Sequence, residues 1–65
     1  MDDLEKLKHL IGHWAEHNDE HVKTYMEWAE RIGKLGKKDL SDVLREISEE
    51  TAKMGDLFRK AEELI

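Results

Sequence analysis

Gly33-Lys34-Leu35-Gly36-Lys37-Lys38 is the stretch that interrupts an otherwise continuous helical pattern, and its reading decides the fold. Two glycines within four residues suit the end of a helix and a turn of the chain. On its N-terminal side a heptad runs without a slip. Leu4, Ile11, Asn18, Tyr25 and Ile32 occupy one core position, and Leu7, Trp14, His21, Trp28 and Leu35 the other. On its C-terminal side Leu44, Thr51, Phe58 and Ile65 run beside Leu40, Ile47, Met54 and Ala61. Two heptads joined by a short turn predict an all-α antiparallel helical hairpin. The single domain spans residues 1–65, with a helix over about 3–33, a turn over 33–38 and a helix over about 39–64. Asp2 or Asp3 suits the cap of the first helix, and Asp39 with Asp42 the start of the second. The unbroken heptad favours one long first helix over a break at Asn18-Asp19, where two good capping residues would begin a third.

Folding at the glycines predicts a register. Trp28 falls by Leu44, Tyr25 by Ile47, Trp14 by Phe58 and Ile11 by Ala61, with Asn18 and His21 near Thr51 as a polar layer within the seam. The aromatic residues are thus read as core. One flank sets Lys8, Ala15, Val22 and Ala29 against Glu62, Gly55, Ser48 and Ser41, so small residues meet and Lys8 reaches Glu62. The other flank gathers Leu10, His17, Val43, Leu57 and Leu64, a greasy edge that two helices leave uncovered. Two helices bury too little to offset the ordering of the chain. That edge is therefore expected to be a homodimer interface, two hairpins making a four-helix bundle. Acid-to-base pairs four apart support both helices: Asp2–Lys6, Asp19–Lys23, Glu27–Arg31, Glu30–Lys34, Glu49–Lys53 and Asp56–Lys60.

The 65 residues lie near the lower limit for a self-sufficient core. Without cysteine there is no disulfide framework and no thiolate site, so a cytoplasmic setting is expected and any metal must be held by imidazole and carboxylate. A net charge of −5 argues against a nucleic-acid partner, which needs a basic footprint. No apolar run approaches the roughly 20 residues of a membrane span, so no membrane partner is expected.

All four histidines, His9, His13, His17 and His21, are spaced by four. Each such step advances a side chain by about 40° and about 6 Å along a helix, so neighbouring imidazoles are close enough to share an ion. His13, Glu16, His17 and Glu20 follow the spacing of one helix face. Glu16 and Glu20 form a like-charge pair with no basic residue four positions on, unlike the acids paired above, and a cation between them would relieve it. The expected site is a divalent transition metal (nickel, cobalt or zinc) on His13 and His17 with Glu16 or Glu20, assisted by His9 or His21. Its role would be metal sequestration, delivery or sensing, with a metal-accepting protein as a further partner. The rival reading is a structural or protein-interaction bundle whose histidines are solvated or pH-responsive; for His21 in particular, a satisfied seam position competes with a ligand role. His13-Trp14-Ala15-Glu16-His17 also spells H-x-x-E-H, the inverted zincin pattern. That chemistry needs a third protein ligand and a substrate cleft that a hairpin this small does not offer. The di-iron carboxylate pattern fails on spacing, since no histidine has a glutamate three residues earlier. No catalysis is expected.

The block His9-Leu10-Ile11-Gly12-His13-Trp14-Ala15-Glu16-His17-Asn18-Asp19-Glu20-His21 resembles one in small histidine-containing helical domains of archaea and bacteria, some appended to nickel-binding proteins. The similarity extends through Tyr25-Met26-Glu27-Trp28-Ala29-Glu30 and into the second helix. The resemblance implies nickel or cobalt handling in the cytoplasm. The chain departs from metal-storage patterns in having no contiguous histidine tract.

Overall fold

The computed structural model describes residues 2–65. Helix α1 runs Asp3–Lys34 and helix α2 Lys38–Glu63. They pack along one another as an antiparallel hairpin, a rod of 52 × 15 × 11 Å. The helix bounds fall within a residue of those expected, and α1 passes through Asn18-Asp19 unbroken. Asp2 is its cap: the Asp2 carboxylate accepts the Glu5 N–H at 2.8 Å, satisfying one of the orphan donors of the first turn. At the far end Gly36 takes φ +83°, the left-handed conformation that only glycine adopts cheaply. The Gly36 N–H donates to Gly33 O at 3.1 Å and the Lys37 N–H to Ile32 O at 3.3 Å, the paired bonds of a Schellman ending. Helix α2 begins one residue earlier than expected, at Lys38. Its N-cap is Lys37, with no side-chain cap bond, so Asp39 does not cap it. Asp39 lies instead in the first turn, where its charge suits the helix dipole.

The contact between the helices sits on the small-residue flank. Ala29 is 0% exposed, and Ile11, Ala15, Ser41, Ser48 and Gly55 are buried with it. Two serines and an asparagine bond across the seam to main-chain oxygens of the other helix. Ser41 Oγ donates to Ala29 O at 2.7 Å, Ser48 Oγ to Val22 O at 3.1 Å, and Asn18 Nδ2 to Thr51 O at 2.7 Å. A hydroxyl on Cβ reaches the opposite backbone only when the two helices lie very close, and alanine, serine and glycine at heptad spacing permit that. The register expected for this flank is therefore the one found: Ala29 meets Ser41 and Val22 meets Ser48. Gly33 has its own part in the approach, since a Cβ there would stand 3.2 Å from Ser41 Oγ.

This close seam turns the large residues outward, correcting the expectation that the aromatics fill the core. Trp14 is 44% exposed and Trp28 49%; Tyr25 and Phe58 are half-buried. Among the described residues no large side chain is fully buried. Leu7, Leu10, Trp14 and Trp28 of α1 and Leu40, Val43, Ile47, Met54 and Leu57 of α2 are all 38–57% exposed. At helical periodicity they fall on one side of the hairpin, making a wide apolar face. His21 is exposed as well, not satisfied within a seam. The polar layer is Asn18 with the Thr51 backbone, while the Thr51 hydroxyl turns back to Ile47 O at 2.7 Å.

The ion pairs also differ from expectation. None of the six pairs four apart forms among the described residues, nor does Lys8–Glu62. Lys53 meets Glu50 at 3.0 Å, and the hydrogen bond it donates to the Glu50 carboxylate raises the pKa of its ammonium above the ordinary 10.5. Arg59 reaches across the hairpin to Asp19 at 3.1 Å and back to Asp56 at 3.7 Å. The guanidinium of Arg31 lies over the Trp28 ring, 5.1 Å from its centroid. These pairs are exposed and each contributes little.

Candidate metal centre

Helix α1 carries the histidine ladder diagonally around its surface, because each step of four overshoots a full turn. His9 belongs to the polar back of the hairpin, His13 to its outer side, His17 to the border of the apolar face and His21 to that face. Of the six candidate ligands the structure brings one pair together directly. His13 Nε2 and His17 Nε2 lie 3.1 Å apart, with ring centroids 4.6 Å apart and planes at 73°. A hydrogen bond at this distance needs opposite tautomers, one ring donating Nε2–H and the other accepting with a bare Nε2. The spacing also suits a chelate. With metal–nitrogen bonds of about 2.0–2.1 Å, two nitrogens this far apart subtend about 100° at the ion, between octahedral and tetrahedral. Both rings are exposed, so re-aiming their lone pairs at one ion costs little.

The other four candidates stand apart from that pair. His21 stacks on Tyr25, with centroids 6.0 Å apart and planes at 13°. Glu20 is exposed on the outer side, where its main-chain oxygen accepts the Thr24 hydroxyl at 3.1 Å. His9 and Glu16 line a shallow depression of about 490 Å³ on the polar back, together with Glu5, His13 and Glu62 around Gly12. Among the described residues no three His, Asp or Glu side chains converge tightly enough to enclose an ion. Within one chain the arrangement is one close pair of imidazole nitrogens with no third donor converging on it among the described residues.

Sequence reasoning passed over Glu5 and Glu62 as neighbours of the ladder. The signals were present: Glu5 stands four residues before His9, and the register that sets Lys8 against Glu62 puts that carboxylate beside Gly12. A Cβ at Gly12 would come within 3.1 Å of Glu62 Oε1.

The family described as Domain of unknown function (DUF8180) matches residues 7–65. This chain belongs to that family. The DUF8180 match takes in all four histidines, the glycine turn and the whole of α2. An uncharacterized protein of Archaeoglobus fulgidus is 31% identical over 62 residues, covering 95% of this chain and 98% of that protein. No solved structure matches the chain. No helix among the described residues of this DUF8180 domain is long and apolar enough to cross a membrane.

Proposed function

We propose that this domain binds a divalent transition metal, nickel, cobalt or zinc, through the imidazoles of His13 and His17, for sequestration, delivery or sensing in the cytoplasm. The observation that carries the reading is the 3.1 Å approach of the two Nε2 atoms, which matches the bite of two nitrogens on one ion. Glu16, between the two histidines in sequence, and Glu20, three residues beyond His17, are the carboxylates proposed to turn toward a bound ion. They supply harder oxygen donors that suit these metals beside imidazole. The role is binding without catalysis, and a homodimer is the working form. Because each imidazole must be neutral to coordinate, protons compete with the metal and acidification weakens binding.

A second reading has its own observation. The apolar face favours a structural or interaction module in which the histidines only border a contact. Native mass spectrometry of chelator-stripped protein, offered nickel, cobalt and zinc in competition, separates the two. Under the metal reading the protein takes up metal stoichiometrically, and His13→Ala or His17→Ala lowers affinity at least tenfold. Protein that takes up none of the three at micromolar concentration would leave the interaction module standing alone.

A further inference from the structure

The apolar face and the incomplete clamp meet at one place. Helix α1 has its midpoint at Asn18-Asp19 and α2 at Glu50-Thr51, so His17 and His21 lie at half the height of the rod. On the apolar face they interrupt the large side chains, with Leu10 and Trp14 on one side and Trp28 on the other. We infer that a second copy of this chain covers the apolar face, and that the His17/His21 layers of the two copies come together and complete the metal site between them. The metal part rests on the function proposed above; the docking part does not.

Three observations favour a second copy as the occupant. The first is area. A stable interface of standard size takes about 800 Å² from each partner. Nine large apolar side chains at 38–57% exposure supply surface of that order, more than a stable monomer ordinarily leaves bare. The second is that no large side chain is fully buried among the described residues, so the hairpin lacks a core until something is laid on it. The third is symmetry. Two identical hairpins stacked face to face allow two-fold axes of two kinds, one along the helices and one across them. The first sets the turns of both copies at the same end, the second at opposite ends. A polar layer near one end would meet its mate only in the first arrangement. A layer at half height is level with its mate in both, so the imidazoles of the two copies share one height whichever forms. Arg31 and Glu50 carry the only formal charges along the heptad strips of this face between residues 7 and 64, and they are of opposite sign.

The test uses the full chain, stripped with chelator, by sedimentation equilibrium and native mass spectrometry with and without zinc. Metal-free wild type is expected at twice its 7.7 kDa, with Trp14 and Trp28 emission shifting to the red as dilution dissociates it. Met54→Glu, in the middle of the face, should weaken association at least tenfold. Ala52→Glu, exposed on the polar back, should not. Should Met54→Glu unfold the chain, Leu57→Lys near the edge of the face serves the same end. Zinc should bind with one site per two chains and tighten the dimer, and His21→Ala should lower zinc affinity at least fivefold without changing the metal-free mass. A monomer with and without zinc, or a dimer indifferent to both face variants, overturns the docking. A dimer whose zinc is bound one per chain and is indifferent to His21→Ala overturns the shared site. Failure of the metal reading itself is distinct: a face-dependent dimer that takes up no zinc at all.

Discussion

Trp14, His21 and Trp28 form one strip along α1, and Ala15, Val22 and Ala29, each the next residue in the chain, form another about 100° around the helix. The strip of small residues is buried or half-buried against α2, and the strip of large ones is exposed. Size alone would order them the other way, because fully burying a large apolar side chain contributes about 1.5–3 kcal/mol and an alanine far less. What decides is how close the two backbones come. Small residues let Ser41 and Ser48 bond directly to carbonyl oxygens of the opposite helix, and that approach leaves no volume in the seam for indole. The large residues are left on the outer face. The two strips differ in what they do within the chain, one fixing register and the other standing exposed beside it.

The sharpest way to break this comparison is to exchange the character of neighbouring positions. Ala29→Leu adds three carbons where the side chain is already 0% exposed. It also displaces Ser41 from its 2.7 Å bond to the Ala29 oxygen. Overpacking and the lost bond together are expected to cost about 3 kcal/mol, read as a large fall in Tm by far-UV circular dichroism. Trp28→Leu, one residue earlier, leaves the seam untouched and should cost clearly less. Equal losses at the two positions would mean that the indole strip, not the alanine strip, holds the hairpin together.

Much of this was legible in the residues. The glycine pair, the heptads and the Ala/Ser/Gly flank were enough to give two helices, the turn and the register in which Ala29 meets Ser41. Which of two adjacent strips forms the seam was not, because the heptad pattern makes the Leu7/Trp14/Trp28 strip look like core in any case. Periodicity says that a strip is apolar; it does not say which chain covers it. The expected ion pairs failed for a related reason. Spacing places Asp19 equally well for Lys23 or for a residue on α2, and the register brings Arg59 to it. At the candidate centre the spacing of four did anticipate that His13 and His17 approach each other. It gave no account of His21 stacking on Tyr25 or of Glu62 arriving from the other helix.

Two glycines facing the same interface sharpen the contrast at smaller scale. A Cβ on Gly55 would lie 3.2 Å from Asn18 Nδ2, 3.4 Å from Arg59 Nη1 and 3.5 Å from Asp19 Oδ1. Asn18 is tied to Thr51 O at 2.7 Å and gives way only by straining that bond. Gly55→Ala gains about 1 kcal/mol of helix propensity but crowds a tied, half-buried amide, overpacking that costs about 1–3 kcal/mol. The expected net result is a loss of about 1 kcal/mol, a fall in Tm of roughly 5 °C. In an Asn18→Ala background the same substitution should turn stabilising, and a thermal double-mutant cycle reads the coupling directly. No coupling would mean that the amide is not what fills the space above Gly55.

Gly12 presents the opposite case and the smallest effect. A Cβ there would stand 3.1 Å from Glu62 Oε1, the far end of a flexible side chain at the edge of an open depression. The Glu62 side chain makes no hydrogen bond or ion pair among the described residues that would hold it in place. Gly12→Ala should therefore keep most of its propensity gain and stabilise the hairpin by about 0.5 kcal/mol, a small rise in Tm. The same variant probes the site. Gly12 floors the depression that His9, Glu16 and Glu62 share on the polar back; His13 borders it too, whereas His17 lies outside it. If the clamp is what holds metal, zinc affinity measured by isothermal titration should be unchanged in Gly12→Ala. A several-fold loss would move the site around the helix, onto the glutamates of the depression and away from His17.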